Sequence, residues 1–102
     1  MSKLFFKANL NLKSTPNELI IHGNIHTKRN DDGIVIQKAN PQGIIDIILL
    51  LNLNIIEGNE QINESAKPFI YKLHDESAKN YTNVTIIDAD GESHTEMVKI
   101  FG

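Results

Sequence analysis

The chain has 102 residues, no cysteine and a formal net charge of −3. That length fits one domain with a single core, and a hydrophobic fraction of 40% beside 23% charged residues excludes a disordered chain. The lack of cysteine excludes a disulfide scaffold, a thiolate metal site and a cysteine nucleophile.

Residues 4–13 alternate: Phe6, Ala8, Leu10 and Leu12 fall on one face, Lys7, Asn9, Asn11 and Lys13 on the other. This predicts a half-buried strand. Ser14-Thr15-Pro16-Asn17 reads as a turn. A second strand is expected at 18–28, with Leu19, Ile21, Gly23 and Ile25 on one face and Ile20, His22, Asn24 and His26 opposite. Gly23 within it marks a bulge or the close approach of another backbone. Arg29-Asn30-Asp31-Asp32-Gly33 predicts a reversal, and Ile34–Lys38 a third strand that completes an antiparallel meander.

The most apolar segment follows. From Ile44 to Ile56 every residue except Asp46, Asn52 and Asn54 is aliphatic. Asn40-Pro41 suits a helix start, so the sequence predicts a helix from Pro41 to about Leu51 and a short extended stretch to Ile56. Such a helix is apolar around its circumference and needs cover on more than one side. The alternation of Leu51-Asn52-Leu53-Asn54-Ile55 keeps a strand reading open. Around Pro68 two readings compete: a helix with Phe69, Ile70 and Leu73 inward, which is favoured, or an edge strand in which a missing donor is harmless. Two β-rich runs, 83–88 and 95–101, flank Asp90-Gly91 and predict a hairpin. The expected fold is α+β: a mostly antiparallel sheet packed on one central apolar helix, in the order βββ-α-(α)-ββ.

No motif specifies a chemistry. His22 and His26 would share a helical turn, but on a strand they stand roughly 13 Å apart, too far to grip one zinc unaided. Asp88-Ala89-Asp90-Gly91-Glu92 resembles part of a calcium loop, yet its glycine comes too early, and an acidic turn is expected instead. The neighbours His74, Asp75 and Glu76 cannot relay protons among themselves on a helix, and Ser93-His94 lacks the glycines of a nucleophile elbow. Asp46 fits the first turn of the expected helix. No catalytic residue, cofactor or metal ligand is therefore assigned.

Lys28-Arg29 is the only adjacent basic pair, so binding to a nucleic-acid backbone is not expected. The central run is shorter than a spanning helix and carries Asp46, and Lys7 closes the first apolar residues, so neither membrane nor secretory leader is expected; the reading is cytoplasmic. The leading functional expectation is a small non-catalytic protein-binding module of the inhibitor, immunity or accessory type. Its polar face would be His22, Asn24 and His26, and its surplus of aliphatic surface at Leu49, Leu50 and Leu53 would form an interface, most simply in a twofold homodimer. Two alternatives are a small-ligand domain or simple enzyme whose pocket lies between helix and sheet, with His22, His26 or His94 supplying polar contacts, and a structural subunit of a larger assembly.

Overall fold

A computed structural model describes residues 4–43 and 45–101. Met1-Ser2-Lys3, which entered the reading of the N-terminus, and Ile44, which opens the apolar run, lie outside the described residues, as does Gly102. Among the described residues seven strands run in chain order: β1 (Leu4–Asn11), β2 (Glu18–Arg29), β3 (Gly33–Lys38), β4 (Ile48–Ile56), β5 (Ile62–His74), β6 (Asn83–Ile87) and β7 (Ser93–Phe101). One five-residue 3₁₀ turn, η1 (Glu76–Asn80), lies between β5 and β6. The spatial order is β3-β4-β6-β7-β1-β2-β5, and contacts between β3 and β5 nearly close the sheet into a barrel.

The expected α+β fold is thus replaced by an all-β one, and the expected central helix is a strand. The run from Ile48 to Ile56 buries Leu49, Leu51 and Leu53 completely and turns Leu50, Asn52 and Asn54 outward. A continuous aliphatic run does not distinguish a buried strand from a buried helix. Here the asparagines mark the wetter face, and β-branched isoleucines suit the pleat. A strand also needs cover on one face alone, which this chain can supply. Before β4, the Gln42 amide takes the place of a strand neighbour: Nε2 donates to the carbonyls of Ala39 (2.6 Å) and Leu50 (2.9 Å), and Oε1 accepts from Leu50 N–H (2.9 Å). Asn40-Pro41 therefore opens a loop rather than a helix, and Asp46 is exposed in the turn ahead of β4.

The expected meander is also corrected. β1 pairs β2, but β2 continues to β5 and β3 pairs β4, so β2 and β3 belong to opposite halves of the sheet. Two aspartates divert the chain. Asp31 accepts from the N–H groups of Asn59 (2.6 Å) and Glu60 (3.2 Å). Asp32 accepts from Gly58 (2.7 Å) and Arg29 (2.9 Å). The reversal after β2 is thereby fastened to the β4–β5 connection instead of closing a hairpin. These donors hold both carboxyls below their ordinary pKa, Asn59 N–H acting most on Asp31 and Gly58 N–H on Asp32.

The segment around Pro68 is the edge strand, not the favoured helix. Asp75 N–H donates to Asn17 O (3.0 Å), so the odd-numbered residues of β5 turn their peptide groups towards β2. Pro68, which faces Asn24, then turns its missing donor to the free side, where no ladder bond is lost. Asp75 accepts from Ser77 N–H (2.9 Å), which caps η1 and lowers the Asp75 pKa. The C-terminal hairpin forms as expected between β6 and β7, with Gly91 at φ 84°. Gly23 marks a close backbone approach: a Cβ there would collide with the carbonyl oxygen of Phe5.

The core joins Leu4, Phe6, Ala8 and Leu10 of β1 to Leu19, Ile21 and Ile25 of β2, with Leu49, Leu51 and Leu53 of β4 and Val84 and Ile86 of β6. Among the described residues no helix is long and apolar enough to cross a membrane.

Leu51→Ala should cost about 2–5 kcal/mol, whereas Asn54→Ala should stay within about 0.5 kcal/mol; urea denaturation measures both, and similar losses would contradict the strand. Asp31 and Asp32 have lowered folded pKa values, so their stabilisation is present near neutral pH and is lost as the pH falls through those values, below about 4. The double variant Asp31→Asn/Asp32→Asn should be less stable at neutral pH and flatter in acid; a melting-temperature curve against pH parallel to the wild type would refute this.

Candidate functional site

Strand β7 joins the two halves of the sheet. Its first half, Ser93–Met97, pairs antiparallel with β6, and its second half, Val98–Phe101, pairs parallel with β1 from Ala8 onward. The first halves of β1 and β7 therefore have no ladder between them. A cleft of about 580 Å³ opens there, walled by Leu4–Ala8, by His22–Asn24 of β2 and by β7 from His94.

The direction of the peptide groups follows from the ladders. Leu12 N–H donates to Phe101 O (3.0 Å), so even-numbered residues of β1 turn their peptide groups towards β7. Val98 N–H donates to Thr82 O (2.9 Å), so even-numbered residues of β7 turn theirs to β6 and odd-numbered ones to β1. Consequently the peptide groups of Leu4 and Phe6 face the cleft from one wall, and those of Thr95 and Met97 N–H from the other. Two strand edges thus meet an open space, a template for another strand.

Side chains divide by face. Leu4 and Phe6 are buried on the inner side. On the outer side Phe5 and Met97 are 71% and 75% exposed. Lys7, Lys99 and His22 are exposed on that same outer side, and His22 Nε2 lies 3.4 Å from Asn9 Nδ2. Glu96, the carboxylate among the lining residues, is on the inner side opposite Val84.

The expected polar face lies along the outer side of β2. His22 and Asn24 are exposed, and His26 is half-buried with Nδ1 3.9 Å from Glu64. The cleft takes in His22 and Asn24 but not His26, and its other wall carries His94 from the far end of the chain. Of the residues expected at an interface, Leu49 and Leu53 are fully buried inside this one chain, so they offer no docking surface; Leu50 is half-buried with its backbone held by Gln42. Phe5, Lys7, Met97 and Lys99 were not singled out from sequence. Phe5 carried a signal all the same: an aromatic residue at an outward position of an alternating strand.

Asp88, Glu92 and His94 hold their ligand atoms within 4.8 Å of one another, a set of donors that suits a divalent cation. Asp88 is otherwise engaged. Its Oδ1 accepts from the N–H groups of Asp90 (2.9 Å) and Glu92 (3.0 Å), and its Oδ2 meets His94 Nε2 at 2.8 Å. That buried carboxylate organises the β6–β7 turn, and an ion would have to displace the histidine bond. A Ser–His pair also forms, Ser14 Oγ to His74 Nε2 at 3.2 Å, but it is exposed, and Asp75 is turned away to cap η1. Among the described residues no third side chain is seen to orient the imidazole as a base. Ser93 is exposed at the start of β7.

No protein-family model, curated protein or solved structure matches the chain.

Asp88→Ala removes the buried carboxylate that accepts from Asp90 and Glu92 N–H and should cost about 1–3 kcal/mol in urea denaturation. Glu92→Ala, at an exposed position, should cost less than about 0.5 kcal/mol; equal costs would show that the cluster acts as a unit.

Proposed function

We propose that this chain is a small non-catalytic protein-binding module whose contact surface is the cleft between β1 and β7. The observation that carries this reading is the pair Phe5 and Met97, among the most exposed large apolar residues, flanking two strand edges without a ladder partner. Apolar side chains beside free backbone donors and acceptors suit a protein partner, which offers both kinds of group. Asp75 and Asp88 are engaged in turns, and the exposed Ser14–His74 pair lies outside the cleft, which favours binding over catalysis. The cytoplasmic location expected from sequence belongs to this same proposal.

A second reading has its own support. His22 and His94 line one cleft, and its volume falls within the range of about 300–1,000 Å³ common for small-molecule sites. A metabolite and nucleotide screen by thermal shift separates the two: a hit of several degrees, lost in His94→Ala, favours the small ligand.

Affinity capture from the source cells tests the leading reading. The wild type should retain one stoichiometric protein, and the variant Phe5→Asp/Met97→Asp should lose it while its circular dichroism stays unchanged. Equal capture by both, or no capture by either, would overturn the proposed surface.

A further inference from the structure

We infer that the occupant of the β1–β7 cleft is an extended segment of another protein, inserted as a strand, with acidic side chains at its outward positions and apolar ones at its inward positions. This rests on the protein-binding reading and names the chemistry of the partner.

Backbone geometry supplies the first argument. Pairing between β1 and β7 begins at Ala8 and Val98, so Leu4–Lys7 stands unladdered opposite the first half of β7. Four residues at about 3.3 Å each give roughly 13 Å of edge, enough for about four residues of a guest strand. Phe6 and Leu4 on one wall, and Thr95 and Met97 on the other, present peptide groups to both sides of the guest. A strand there would pair with β1 on one side and with β7 on the other, ahead of the point where Ala8 and Val98 begin to pair directly. Main-chain bonds of this kind give affinity, and the side chains beside them give selectivity.

Charge supplies the second. Outward-facing Lys7 and Lys99 flank the cleft, and His22 lies beside Lys7 across the β1–β2 ladder. The chain as a whole carries −3, so this outer rim is a local reversal of its net charge. The lining carboxylate, Glu96, is on the inner side. A guest with glutamates outward meets the two lysines, and the aliphatic stems of those glutamates lie over Phe5 and Met97. Its inward side chains meet Leu4 and Phe6 and pass Glu96, so they must not be acidic. Complementary charge at an exposed rim sets partner choice and encounter rate more than affinity.

The test uses a fluorescein-labelled peptide of about six residues alternating glutamate and valine, titrated with the full chain at low salt and followed by anisotropy. Saturable binding of about micromolar strength is expected. The lysine–valine counterpart should bind at least about tenfold more weakly. The variant Lys7→Glu/Lys99→Glu, altered only at exposed positions, should reverse that preference. N-methylation of alternate residues on the glutamate–valine peptide should abolish binding, because it removes ladder donors while keeping charge. Equal binding of the N-methylated peptide would overturn strand insertion, and equal binding of both charge patterns would overturn the acidic guest. Self-association that displaces the peptide would assign the cleft to a second copy and overturn the proposal. If no peptide binds but cellular capture still depends on Phe5 and Met97, the extended acidic guest is wrong and the binding module stands. If both fail, both readings fall.

Discussion

Three leucines of β4 hold the molecule together. Leu49, Leu51 and Leu53 are fully buried, and they meet the inward faces of β1, β2 and β6 in one cluster. The constraint behind this is one of cover. A chain of this size can shield one face of a strand but has little left to wrap a helix that is apolar all round. Once the run lies flat, its two edges are taken by β3 and β6, and the remaining strands follow round the nearly closed sheet.

That closure is uneven, and the unevenness produces the candidate site. β7 serves two neighbours in turn, β6 with its first half and β1 with its second. Each half is well paired on one side, but the hand-over leaves the starts of β1 and β7 apart. The apolar residues Phe5 and Met97 stand at this opening. At β5 the edge is blunted by Pro68, whose missing donor faces outward. The protein thus protects one outer edge while leaving an internal one available.

How much of this was legible in the sequence depended on how local the signal was. β1 and the β6–β7 hairpin could be read, because alternation and an Asp-Gly turn are properties of adjacent residues. The central strand could not be separated from a helix, since an unbroken aliphatic run satisfies both; only the alternation at Asn52 and Asn54 pointed the right way. The chemistry of Asn30-Asp31-Asp32-Gly33 correctly indicated a reversal but not its partner. That was decided by N–H groups of Gly58, Asn59 and Glu60, donated from the far end of β4. The polar face of His22 and Asn24 was legible for the same reason as β1. Its place in a cleft was not, because the opposite wall begins at His94, and nothing local couples residues so distant along the chain.

Amide hydrogen exchange, resolved residue by residue along β7, tests the split ladder most directly. Along its β1 side the N–H groups of Thr95 and Met97 should exchange fast, and those of Lys99 and Phe101 slowly, with the step where pairing to β1 begins. Uniform protection from Thr95 to Phe101 would mean that β1 and β7 are zipped along their whole length. The cleft, and every binding role drawn from it, would then be contradicted.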